Sequence, residues 1–212
     1  MLKGKNYEPI CRLMDIILSL IFIFIFSPVY IIVAFLIYKE DRYNPVYFQT
    51  RIGLNKQPFK FYKFRSMVAN ADDIIKKDLE LYNKLRSGNN KAVDDPRITK
   101  IGKFIRKYSI DEFPQMFNVL KGDMSIVGPR ALRPDEFKLY EEKDSLNIKK
   151  MEVITSVKPG LTGYWQVGGR SDVDFETRMG MDMYYARNKS LLFDIKIMLK
   201  TPMAIVGAKG SY

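Results

Sequence analysis

The chain has 212 residues, 47% hydrophobic and 28% charged, enough for one ordinary domain with a small appendage and incompatible with disorder over its whole length. One cysteine, Cys11, and no histidine exclude an internal disulfide framework, a cysteine-rich zinc site and every catalytic triad built on an imidazole. Lysine and arginine outnumber the acids by 35 to 24, a net charge of +11, which favours an anionic partner: anionic lipid, nucleic acid or a phosphate-bearing small molecule.

From Ile16 to Tyr38, twenty-three residues pass without a charge, and about 20 such residues can span a bilayer. A cleaved signal peptide fits less well, because Lys39-Glu40-Asp41-Arg42 offers no small-residue cleavage site. Ser27-Pro28 stands at the middle of the run, where proline removes a helix hydrogen bond. Each arm then reaches roughly 15–18 Å, about half the hydrocarbon thickness. Lys3, Lys5 and Arg12 precede the run, and Lys39, Arg42, Arg51 and Lys56 follow it; positive flanks stay cytoplasmic. The expectation is a re-entrant helix-break-helix anchor over residues 1–38, both ends on the cytoplasmic face, and a cytoplasmic domain over 39–212. A proline-kinked spanning helix is the alternative.

Pro45–Met67 reads as two strands around a Gly53-Leu54-Asn55-Lys56-Gln57 turn, with Phe59, Phe61, Lys63 and Arg65 on one parity of the second strand. Ala71–Arg86 has apolar residues at helical spacing and a stop at Ser87-Gly88-Asn89-Asn90. Ile98, Ile101 and Ile105 form another short apolar stripe among Lys100, Lys103, Arg106 and Lys107. Ser109-Ile110-Asp111-Glu112 fits a capping box, so a helix is expected to start at Ser109, with Pro114 tolerated near its first turn. Glycine and proline mark Val127–Arg130 and Lys158–Gly163 as loops. Leu191–Val206 is apolar with three charges, and suits either the core or a membrane interface. The fold class is α/β, mostly helical with short strands.

At a helix start, Asp111 and Glu112 would lie near the positive end of the helix dipole, which favours their ionised form. That makes Asp111 a candidate nucleophile or metal ligand; the plainer reading is that both acids only stabilise the helix. Lys63, Arg65, Arg106, Arg130 and Arg170 stand beside glycine, proline or aromatic residues rather than in charge runs. Arginine grips phosphate in a fork and lysine supplies a point charge, so a set of them around a carboxylate suits a diphosphate with a divalent cation.

Several runs carry a resemblance: Lys63-Phe64-Arg65-Ser66-Met67, Asp95–Gly102, Asp111-Glu112-Phe113-Pro114-Gln115, Asn118–Arg130 and Lys158-Pro159-Gly160-Leu161-Thr162-Gly163. In this order they resemble the bacterial sugar transferases, the small monotopic phosphoglycosyl transferases acting on polyprenyl phosphate, over nearly the whole chain. The Ser27-Pro28 break belongs to the likeness. The resemblance implies an enzyme of the bacterial inner membrane that moves a sugar 1-phosphate from a UDP-sugar to undecaprenyl phosphate. UMP leaves, and a phosphosugar is held meanwhile on an aspartate. It implies Asp111 as nucleophile and ligand of Mg²⁺, and Glu112 as its partner. Lys63, Arg65, Arg106, Arg130, Arg170, Asp182 and Asp194 become substrate-binding positions, residues 131–157 and 171–181 shape the sugar pocket, and no nucleic acid is needed. Arg130 is followed by Ala131 where the family often has proline, which bears on the nucleotide end. Two other classes stay open: a membrane-anchored protein that binds anions without turnover, and a metal-dependent phosphohydrolase that passes the intermediate to water.

Overall fold

A computed structural model describes residues 7–71, 73–74, 95–169 and 173–206. Most of the helix expected at Ala71–Arg86, its stop, and Arg170 lie outside the described residues. The elements in order are α1 (Tyr7–Asp41), β1 (Val46–Ile52), a 3₁₀ turn (Leu54–Lys56), β2 (Pro58–Phe64), α2 (Lys100–Lys107), a second 3₁₀ turn (Ile110–Glu112), α3 (Gln115–Lys121), β3 (Ser125–Val127), α4 (Pro134–Lys143), α5 (Ser145–Thr155), β4 (Gly160–Thr162), α6 (Tyr164–Gly168), α7 (Phe175–Asn188) and α8 (Leu191–Val206). The α/β class, mostly helical with short strands, is the one read from the sequence. Two compact units share α1: Met1–Phe26, Phe48–Tyr62 and Gln115–Ala208 form one, and Ser27–Tyr47, Lys63–Pro114 and Lys209–Tyr212 the other.

The 35-residue helix α1 differs from the expected helix-break-helix, because it stays helical through Ser27-Pro28. Proline lacks one amide donor, but its fixed φ near −65° is already helical. A single missing hydrogen bond therefore leaves the assignment unbroken. Large apolar side chains on this helix face outward, led by Phe24 at 82% exposure and Ile31 at 70%.

In the first unit the start of α1 is tied down by polar groups. Tyr7 Oη donates to Asp194 Oδ2 at 2.7 Å, and Arg12 donates to the carbonyls of Val119 and Leu120, both at 2.6 Å. Those carbonyls lie at the end of α3, where intrahelical partners run out. Asp15 accepts from Ser125 Oγ at 3.0 Å and from the Ile126 amide at 2.8 Å. In the second unit the end of α1 is held by packing, with Val33 and Ile37 buried against Phe64 and Ile105. Asp41 closes it with an ion pair to Arg65.

The β1–β2 hairpin forms as read, its turn closed by the Gly53 amide donating to the Gln57 carbonyl at 2.8 Å. Val127–Arg130 and Lys158–Gly163 are not wholly loops: they contribute to a parallel β3–β4 pair with Ser125 opposite Gly160 and Val127 opposite Thr162. Glycine is used there for close approach. A Cβ at Gly160 would lie 2.0 Å from the Gly128 nitrogen, and one at Gly128 would lie 2.4 Å from the Lys158 carbonyl.

Glycine serves the same purpose at Gly102 on α2, where an added Cβ would meet the Ser66 carbonyl oxygen at 2.0 Å. Backbone cannot give way as a side-chain tip can. Gly102→Ala should therefore lower unfolding stability by about 3 kcal/mol. Gly180 on α7 has nothing within 4 Å of such a Cβ, so Gly180→Ala should raise stability by about 0.5–1 kcal/mol. Chemical denaturation of the two variants checks the opposite signs.

Candidate active site

The second unit assembles the acid pair. Strand β2 ends at Phe64, and Lys63 just before it projects Nζ to 2.9 Å from Glu112 Oε1 and 3.3 Å from Asp111 Oδ2. The acids sit on the 3₁₀ turn Ile110–Glu112, flanked by Ile110 and Phe113, which pack against the core of Val33, Ile37, Phe64 and Ile105. The expected capping box does not form. Ser109 takes a left-handed φ of 55° and makes no side-chain cap, whereas an N-cap needs an extended residue. The α-helix begins only at Gln115, after Pro114.

The electrostatics of Asp111 therefore differ from a helix-end acid. Asp111 is 7% exposed. Burial pushes its carboxyl above the ordinary aspartate range and the Glu112 charge adds to the rise, while Lys63 and Arg106 pull it back. Desolvation disfavours the charged form, and the two cations act against it. The result is a poorly hydrated carboxylate with its counter-ion within reach, a good starting state for attack on an electrophile. Among the described residues no group of three or more acidic or cysteine side chains comes together. Two adjacent carboxylates nevertheless fit the way Mg²⁺ is commonly held, by one or two carboxylates plus the substrate's own phosphates.

Arg65 of the same strand turns to Asp41, Nη2 to Oδ1 at 2.6 Å, with its guanidinium 5.9 Å from the Tyr43 ring centre. It clamps the end of α1. Nearby in sequence, Arg97 grips Asp95 with both Nε and Nη2.

The first unit gathers a second constellation. Arg130 follows β3, and its guanidinium lies 5.7 Å from the Trp165 ring centre; Arg178 of α7 approaches the same ring at 5.0 Å. Asp182, one turn beyond Arg178, is completely buried. Burial pushes the Asp182 carboxyl up to about 7 against the opposing pull of Arg178 and Arg130. Burial and the Arg130 charge bring Arg178 down to about 10. The sequence reading marked Arg130 and Asp182 but missed Arg178 and Trp165. An arginine on a helix without strong apolar periodicity looks like solvent-facing charge; the sole tryptophan, just after Gly163, was the available signal. Asp194 belongs to a third cluster, accepting from Tyr7, from Tyr185 Oη at 2.7 Å and from Cys11 Sγ at 3.6 Å. Burial raises its carboxyl and, with the Asp194 charge, the Tyr185 phenol.

Fold and site define a class: an α/β protein with a long exposed apolar helix and a buried acid pair countered by lysine. The family model described as bacterial sugar transferase matches residues 6–208, and the chain belongs to that family. It is 38% identical over 205 residues to the exopolysaccharide production protein ExoY of Sinorhizobium fredii, covering 95% of this chain and 87% of that protein. It is 41% identical over 206 residues to the undecaprenyl-phosphate galactose phosphotransferase of Salmonella typhimurium, covering 95% of this chain and 41% of the relative. With the UDP-N-acetylgalactosamine-undecaprenyl-phosphate N-acetylgalactosaminephosphotransferase of Aeromonas hydrophila it is 38% identical over 216 residues, 100% of this chain and 47% of that one. The chain thus spans less than half the length of several relatives it matches.

The raised Asp111 carboxyl makes a prediction of definite sign. A carboxyl higher in the folded than in the unfolded state, where it titrates near 3.9, favours folding at low pH. That favour is lost as pH rises through the folded value. Asp111→Asn should therefore raise the melting temperature at pH 8, and the gain should fade as pH falls toward about 4. Melting curves at the two pH values check it.

Proposed function

We propose that the chain is a phosphoglycosyl transferase that moves a sugar 1-phosphate from a UDP-sugar to undecaprenyl phosphate, with Asp111 as the covalent nucleophile. The observation that carries this reading is the buried Asp111 carboxylate with Lys63 Nζ 3.3 Å away. The relatives named as undecaprenyl-phosphate sugar phosphotransferases support it. Asp111 attacks the β-phosphorus of the donor, forming a carboxyl–phosphate bond. The bond from that phosphorus to the bridging oxygen breaks, and UMP leaves with its electron pair. An oxygen of undecaprenyl phosphate then attacks the same phosphorus, and the Asp111 carboxylate departs. Lys63 and Arg106 offset the charge that gathers around the reacting phosphoryl group. Asp111, joined by the donor's phosphate oxygens, would hold the Mg²⁺, which supplies charge neutralisation at the diphosphate. An aspartate ionised at working pH needs no histidine to activate it, in keeping with a chain that has none.

The acceptor's phosphate sits at a membrane surface, and α1 is the device that reaches it. Its start is hydrogen-bonded to Val119 and Ile126, and its end packs against Phe64 and Ile105. Positive residues on both sides of the apolar run support entry and return on the cytoplasmic face. On this reading residues 1–38 are the anchor and 39–212 the catalytic domain.

Two experiments test the proposal. Asp111→Asn keeps size and polarity but lacks the nucleophilic oxygen charge, so UMP release should fall by several orders of magnitude with the fold intact. Wild type without lipid acceptor should retain labelled phosphosugar, and continued UMP production would instead mark a hydrolase. A folded Asp111→Asn protein with near-normal turnover removes Asp111 as nucleophile. For topology, single cysteines at Lys3 and Lys56 in a Cys11→Ser background should resist an impermeant thiol reagent in intact cells. Labelling at Lys3 alone would establish a spanning helix.

A further inference from the structure

Lys63 and Asp111 come from two stretches of the second unit that lie 48 residues apart in the chain. Their spacing depends on what braces those stretches. One side chain of α1, Tyr30 of the same unit, touches both. Tyr30 Oη donates to the carbonyl of Phe113, the residue after Glu112. The Tyr30 ring centre lies 5.9 Å from that of Phe113 and 5.6 Å from that of Phe64, the residue after Lys63. One tyrosine thus meets the immediate neighbour of the lysine and the immediate neighbour of the acid pair.

Tyr30 is itself held. Val33 and Ile37, on the following turns of α1, are buried against Phe64 and Ile105, and Tyr30 packs on the same cluster. For that packing a ring alone would do. The apolar run carries Phe22, Phe24, Phe26 and Phe35, yet the aromatic residue against the acid turn has a hydroxyl. A hydroxyl in apolar surroundings is costly unless it is bonded, and this one is bonded to the main chain of that turn. The bond therefore fixes the turn itself rather than a side-chain rotamer. A shift of the turn would change the distance from Lys63 Nζ to both carboxylates at once. Misplacement of about 1 Å can cost a hundredfold in rate.

We propose that Tyr30 is a positioning residue of the transferase: its hydroxyl and ring brace the 3₁₀ turn of Asp111 and Glu112 against strand β2, and so set the reach of Lys63 to both acids. This deepens the proposed function and rests on it. The apolar helix then fixes the geometry of the acid pair as well as anchoring the chain.

Tyr30→Phe removes the O–H and keeps the ring. Full-length protein is incubated without lipid acceptor and with labelled UDP-glucose, UDP-galactose or their N-acetylated counterparts, and the donor that loads fastest is followed. In Tyr30→Phe the rate of phosphosugar loading should fall by about tenfold to a hundredfold. The amount finally loaded per folded chain, and the donor concentration at half-maximal rate, should stay within about twofold of wild type. Tyr38→Phe makes the same deletion on an exposed ring of the same helix and should leave all three unchanged. An unaltered loading rate in Tyr30→Phe would overturn the proposal. So would a fall in rate and amount together that merely tracks lost folded protein. Stability carries the same test without turnover. In chemical denaturation, Tyr30→Phe combined with Lys63→Met should lose less than the sum of the two single losses, by about threefold or more in the unfolding constant, because both remove supports of one turn. Additive losses would overturn the proposal. Coupled stabilities with no loading of wild type by any of these donors would overturn the transferase reading instead, and leave Tyr30 as the brace of the acid turn.

Discussion

A carboxylate moved out of water loses hydration that only nearby positive charge can replace, and the second unit is arranged around that requirement. Asp111 is almost fully buried with Lys63 Nζ 3.3 Å from it. Strand β2 needs its final turn of alternation to aim Lys63, and the left-handed Ser109 swings the chain into the 3₁₀ turn that carries the acids. Phe64, Ile105, Ile110 and Phe113 pack against Val33 and Ile37 of α1. The apolar helix is therefore part of the wall that keeps water from the acid pair, as well as a lipid-facing element. Loosening that packing would admit water, strengthen the hydration of Asp111 and dull its nucleophilicity.

The same helix explains why the apolar run carries polar residues at its edges. Arg12 and Asp15 would be costly in a bilayer core. Here they meet backbone carbonyls at the end of α3 and a backbone amide at the start of β3. Asp41 likewise meets Arg65. The outward residues, Phe24, Ile25, Ile31, Ile32 and Phe35, are exposed and apolar, as a lipid-facing surface requires.

Much of this was legible in the residues themselves. The Gly53–Gln57 turn, the strand alternation and the convergence of Lys63 on Asp111-Glu112 follow from local chemistry and recognisable motifs. The capping box failed because a Ser-x-x-Glu pattern does not report φ at the serine, and Ser109 is left-handed. The β3–β4 pair was hidden because glycine signals both a turn and a close backbone approach, and only the three-dimensional partner distinguishes them. Pro28 removes one donor from α1 without ending the helix. Arg178 was invisible for a further reason. Its burial depends on Trp165 and Phe175, thirteen and three residues away, and no periodicity on α7 announces it.

Asp111 and Asp182 are both buried, but their surroundings differ. Asp111 has a lysine within bonding distance and a second cation in support, so its charge is compensated despite burial. Asp182 is buried more completely and stands off its nearest cation by 3.9 Å, so its carboxyl rises to about 7. A nucleophile needs a compensating cation beside it before its substrate arrives, which the Lys63 contact provides. Asp182 has no cation at such close range, which sets it apart from the setting of Asp111.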